Sequence, residues 1–201
     1  MNDDDYPARL EVDYPEQLDR VTTLFRPILV IPIAIVFAFL VSPDGESGAM
    51  AGSFGGLFAA TVLMIVFRQR YPRWWFDFLR EVVRFAGRIA CYALLLTDRY
   101  PSTVDEQAYH LEIDYPDAVN DLNRWMPLVK WFLAIPHFLV LVVLMVGVIV
   151  VFVIAWFAIL FTGRFPRPLF DYVVGVLRWW VRVSAYAVWL VTDRYPPIRL
   201  D

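Results

Sequence analysis

His110, His137 and Cys91 are the side chains of this 201-residue chain best suited to metal ligation or nucleophilic attack, and they lie in three separate segments. A metal site needs several such ligands with short, regular spacings, and no cysteine or carboxylate cluster accompanies either histidine. A nucleophile needs a base within hydrogen-bond reach, and no sequence pattern assembles one. No GxSxG, HExxH, phosphate loop or dinucleotide fingerprint occurs. His137 follows Pro136 at the entrance to an apolar run and reads as an interface marker. Cys91 has apolar neighbours and reads as a buried, inert thiol; as the single cysteine, it allows no intramolecular disulfide. The expectation is a protein that is not an enzyme, with no catalytic residues, no cofactor and no metal.

The chemistry that remains is recognition of anions. Arg84 and Arg88, with Asp77 and Glu81, form one polar row at helical spacing. Arg178 and Arg182, with Asp171, form a second. Aromatic and aliphatic residues flank both rows, including Trp180 and Trp189. Such a row suits a helix lying in a membrane interface, which makes these four arginines candidate contacts for lipid headgroups. The other reading is a spanning helix whose arginines face a protein interior. Seven aromatic residues precede proline: Tyr6, Tyr14, Tyr71, Tyr100, Tyr115, Phe165 and Tyr195. Tyrosine favours the bilayer interface and proline fixes the chain direction there, so Tyr71, Tyr100, Phe165 and Tyr195 are candidate interface anchors.

Stepping along the chain, the elements that carry these groups occur twice. RLEVDYP (9–15) is answered by HLEIDYP (110–116), and RQRYPRWWFDF (68–78) by TGRFPRPLFDY (162–172). Arg20, Arg26 and Pro32 correspond to Arg124, Lys130 and Pro136, and TDRYP recurs at 97–101 and 192–196. The reading is two tandem membrane repeats, 9–101 and 110–197, joined by a linker at 102–109, with both copies in the same segment order. Each begins with an alternating run: Leu10, Val12 and Tyr14 on one face, and Leu111, Ile113 and Tyr115 in the second copy. The two runs can pair as strands, or serve as unpaired extended linkers.

Hydrophobic residues make up 59% of the chain and charged ones 19%, an apolar excess over ordinary soluble domains. Leu24 to Val41 and Ala49 to Phe67 read as two spans joined by the polar turn SPDGESG (42–48). Leu128 to Phe161 lacks a polar turn, and reads either as one long helix or, by analogy with the first copy, as a hairpin turning near Gly147. The resulting fold class is an all-α integral membrane protein. Each of its two tandem repeats is a transmembrane helical hairpin plus an arginine-bearing amphipathic interfacial helix, with short extended segments at the cytoplasmic face. Under this scheme the lysines and arginines fall on one side, which places both termini in the cytoplasm and the protein in the cell (plasma) membrane as a multi-pass chain. The acidic N-terminus is unlike a secretory signal. The net charge of -3 argues against nucleic acid as a partner.

The DYP motif with its following arginine, LAIPH (133–137), WFAILFTGRFPRPLFDYVVGVLRW (156–179) and TDRYPP (192–197) resemble an uncharacterised bacterial membrane family best known from actinobacteria, domain of unknown function 4389. The second copy follows the family pattern closely. The first departs from it, with LVIPI (29–33) in place of the histidine form and an inserted polar turn. The resemblance implies a membrane location and brings no known activity. The function expected is a non-catalytic membrane scaffold or accessory subunit that engages anionic lipid, another membrane protein or a second copy of itself. The rival is a small transporter or channel built from two parallel repeats.

Overall fold

The computed structural model describes residues 6–41, 49–103, 105 and 107–200. The two alternating runs form strands, β1 (Ala8–Val12) and β2 (Tyr109–Ile113), which pair antiparallel. Leu10 lies opposite Leu111, Arg9 opposite Glu112 and Glu11 opposite His110. The ladder closes with Asp13 N–H donating to Ala108 O (2.9 Å) and Asp114 N–H to Pro7 O (2.8 Å). The alternation has the consequence expected of it: Ala8, Leu10, Tyr109, Leu111 and Ile113 are buried, while Glu11, Asp13, His110, Glu112 and Asp114 are exposed. A two-stranded ribbon is marginal by itself. This one is backed by α3 (Arg73–Ala93) and α5 (Arg167–Ala187).

Beneath those two helices lies an apolar layer of α1 (Arg20–Val41), α2 (Ala49–Arg68) and α4 (Met126–Thr162). α3 packs on α1, α5 packs on α4, and α1 and α2 both touch α4. The order is therefore charged sheet, amphipathic helices, apolar helices. α5 runs back along α4: Lys130 Nζ lies 5.2 Å from the Tyr186 ring, Trp179 Nε1 donates to His137 Nδ1 (3.2 Å), and Tyr172 O–H donates to Leu144 O (3.0 Å). α1 meets the C-terminal half of α3 through Arg26 over Tyr92 and Phe37 against Phe85. α2 meets the N-terminal end of α3, where Trp75 Nε1 donates to Thr61 Oγ1 (2.9 Å).

The hairpin expected for 128–161 is corrected. α4 is one helix of 37 residues, ended by Gly163 in the left-handed region (φ 73°), whose N–H donates to Ile159 O (2.7 Å). A continuous helix pairs the backbone of an apolar run within the segment itself, and Gly147 alone lacks the polar neighbours of a turn. Gly147 has a packing role instead: a Cβ there would stand 2.2 Å from the Tyr172 hydroxyl.

The first copy is corrected as well. A simple hairpin would place the start of α1 beside the end of α2. The two helices do touch, but their outer ends are held at opposite ends of α3, whose 21 residues span about 30 Å. The polar turn at 42–48 lies outside the described residues.

Gly147→Ala is expected to lower the stability of the detergent-solubilised protein by about 1–3 kcal/mol through overpacking. Gly56→Ala, where nothing lies within 4 Å, serves as the control and should not lower it; thermal unfolding of both variants checks this.

Candidate functional site

The central arginines of α3 and α5, Arg84 and Arg178, turn toward the sheet. Arg84 Nε and Nη2 donate to Leu111 O at 3.1 and 3.0 Å, and Arg178 Nε donates to Leu10 O at 2.9 Å. Each arginine sits at the middle of its helix and reaches the middle of a strand. Arg88 Nη1 donates to Ser102 O (2.6 Å), in the segment leading to β2. Arg182 is buried, and its backbone carbonyl accepts the hydroxyl of Tyr6 (3.3 Å). The same helices carry exposed charge pairs: Arg80 with Asp77 (3.3 Å), Arg84 with Glu81 (2.8 Å) and Arg167 with Asp171 (3.2 Å).

The four anchor candidates divide into two kinds. Tyr71 and Phe165 are buried: Tyr71 O–H donates to Trp189 O (2.9 Å), and Phe165 meets Phe170 edge-on. Tyr71 O and Phe165 O in turn accept the hydroxyls of Tyr115 (2.5 Å) and Tyr14 (2.6 Å). Arg73 lies over the Tyr115 ring and Arg167 over the Tyr14 ring. Tyr100 and Tyr195 are exposed; their rings lean on Tyr92 and Tyr186, and Tyr195 O–H donates to Leu133 O (3.2 Å). Burial pushes the Tyr71 hydroxyl well above the usual tyrosine range and the Cys91 thiol up to about 12, so Cys91 is inert at neutral pH.

Two buried cations are the functional residues that sequence reasoning underweighted. In the sequence, Asp98 and Asp193 stand beside Arg99 and Arg194. Instead, Asp98 pairs with Arg26 and Asp193 with Lys130 (2.6 Å). Arg26 and Lys130 are essentially solvent-inaccessible. Arg26 Nη1 donates to Thr97 O (2.8 Å) and Lys130 Nζ to Thr192 O (2.7 Å). The available signal was a lone cation in each apolar run combined with a repeated Thr-Asp. Both cations turn back onto the chain, although Arg26 Nε is buried with no hydrogen-bond partner of its own. Among the described residues, no three His, Cys, Asp or Glu side chains converge as metal ligands do.

The outer surface of α1 and α4 is largely apolar. α1 exposes Val21, Phe25, Ile28 and Val36, while α4 exposes a face running its whole length, with Phe132 79%, Val143 70% and Phe161 78% accessible. The opposite face of α4, from Lys130 through Ala134, His137, Leu141, Val148, Val151 and Ala155 to Ile159, is buried.

Residues 124–198 match a family described as "Domain of unknown function (DUF4389)". No curated protein and no solved structure matches the chain. The matched segment holds α4, α5, Lys130, Asp193, Arg178 and Arg182.

Lys130→Met is expected to destabilise the protein by about 3–5 kcal/mol, because it leaves a carboxylate without its buried partner. Lys130→Met combined with Asp193→Asn should cost less than the sum of the two single substitutions. Unfolding of the three variants in detergent measures that coupling.

Proposed function

We propose that this protein is a non-catalytic scaffold embedded in a membrane, with hydrocarbon covering the outer faces of α1, α2 and α4. The observation that carries the reading is the length of exposed apolar surface on α4 opposite a charged sheet. Two stretches, Arg20–Ala38 and Met126–Thr162, are long and apolar enough for a bilayer, and only 11% and 17% of their apolar windows are buried. The core helix of a soluble domain would be mostly buried. Patches beyond a few hundred Å² on soluble proteins mark interaction surfaces, and this face is apolar throughout.

The reading includes two copies of one unit, each lending its strand to the other. In support, the strand register is unchanged when the copies are exchanged: Arg9 with Glu112 becomes His110 with Glu11. Arg84 to Leu111 and Arg178 to Leu10 are the same contact made in both directions. Arg26 with Asp98 and Lys130 with Asp193 repeat within each copy. In this scaffold the role of Arg84 and Arg178 is to hold the sheet, and their carbonyl partners leave headgroup contact to arginines elsewhere. Anionic lipid is the partner proposed. The closure of Lys130 and Arg26 onto backbone weighs against the transporter reading.

Alkaline carbonate extraction of membranes from expressing cells tests embedding. The full chain is expected in the pellet, and release only by detergent. Release as a soluble oligomer would mean that other copies cover the apolar face, and would overturn the reading.

A further inference from the structure

We infer that the apolar layer lies flat within one leaflet, with no crossing by α4; the inference rests on the membrane reading above. Its basis is where the charged sheet sits along the long helices. Arg178, at the centre of α5, holds the centre of β1, and α5 overlies α4 between Ala134 and Gly147. The sheet therefore stands over the middle of α4, not beyond either end. If α4 crossed the bilayer, Glu11, Asp13, His110, Glu112 and Asp114 would be exposed at the depth of the hydrocarbon midplane. An open sheet edge with exposed charges has no stable place there.

Direction leads to the same answer. The start of α1 lies at the end of α4, where Leu18 N–H donates to Gly163 O (2.9 Å) and Trp156 Nε1 to Thr23 O (3.1 Å). The start of α4 lies at the end of α2, where Arg124 donates to Val66 O and to Phe67 O. β1 and β2 are antiparallel, and α1 and α2 run antiparallel to α4, about an axis that passes between Leu10 and Leu111. An axis perpendicular to every element coincides with the membrane normal when the layers lie in the membrane plane, and both TDRYP segments then share one face. At 37 residues α4 is about 55 Å long, well over the roughly 30 Å of a hydrocarbon core, and a single crossing would need a tilt beyond the usual range.

Charge completes the fit to an anionic leaflet. Exposed arginines flank the apolar layer at both ends, Arg20 and Arg164 at one and Arg68, Arg70 and Arg124 at the other. The acidic face of the sheet points away, into water.

The test uses the full chain in a Cys91→Ser background, with single cysteines at Gln17, Asn120 and Glu112, in sealed vesicles of each orientation. Gln17 and Asn120 lie at opposite ends of α4. An impermeant maleimide is expected to label all three from the same side. Spin labels at Val129, Val143 and Phe157 should report similar, shallow depths. Labelling of Gln17 and Asn120 from opposite sides, with Val143 deepest, would overturn the inference while leaving the membrane reading standing. Release of the protein by carbonate would defeat the membrane reading itself.

Discussion

The hydrogen bonds from Arg84 and Arg178 to strand carbonyls hold this architecture together. Two five-residue strands cannot fold alone, and α3 and α5 have few direct contacts with each other. Each guanidinium joins the helix of one half to the strand of the other, so neither half can close without its counterpart. A charge-assisted bond of this kind contributes about 1.5–3 kcal/mol in a partly dry setting. The aromatic shell reinforces it. Tyr14 and Tyr115 cross between halves to the carbonyls of Phe165 and Tyr71, and each ring carries an arginine on its face.

Given that clamp, the remaining layers follow from polarity. α3 and α5 must be amphipathic, because one side meets a sheet and the other an apolar helix. α1 and α4 need only one narrow polar element each to dock. Arg26 and Lys130 supply it by capping the chain just beyond α3 and α5, where Leu95 and Leu190 adopt left-handed conformations (φ 66° and 57°). Non-glycine residues take this shape at a cost. Here the turn places Thr97 and Thr192 carbonyls against the two cations.

Much of this was legible in the residues. Period-two alternation marked both strands. Periodicity also drew the arginine rows on α3 and α5. It did not reveal what they face, because an apolar flank looks alike beside lipid and beside a sheet. The long helix was misjudged because a glycine in an apolar run signals a turn only when polar residues accompany it. Gly147 is small for the sake of Tyr172, 25 residues away, which no local pattern records. No local pattern links Asp98 and Asp193 to their partners either: Arg26 and Lys130 are more than 60 residues distant.

The central claim is that the guanidinium clamp, and not strand pairing alone, maintains the sheet. Hydrogen exchange of the backbone amides tests it most directly, comparing the native chain with Arg84→Met plus Arg178→Met. The account expects protection in Ala8–Val12 and Tyr109–Ile113 to fall sharply in the variant, while the amides of Leu141 to Ile159 in α4 stay protected. Unchanged protection of both strands in a variant with intact α4 would contradict it.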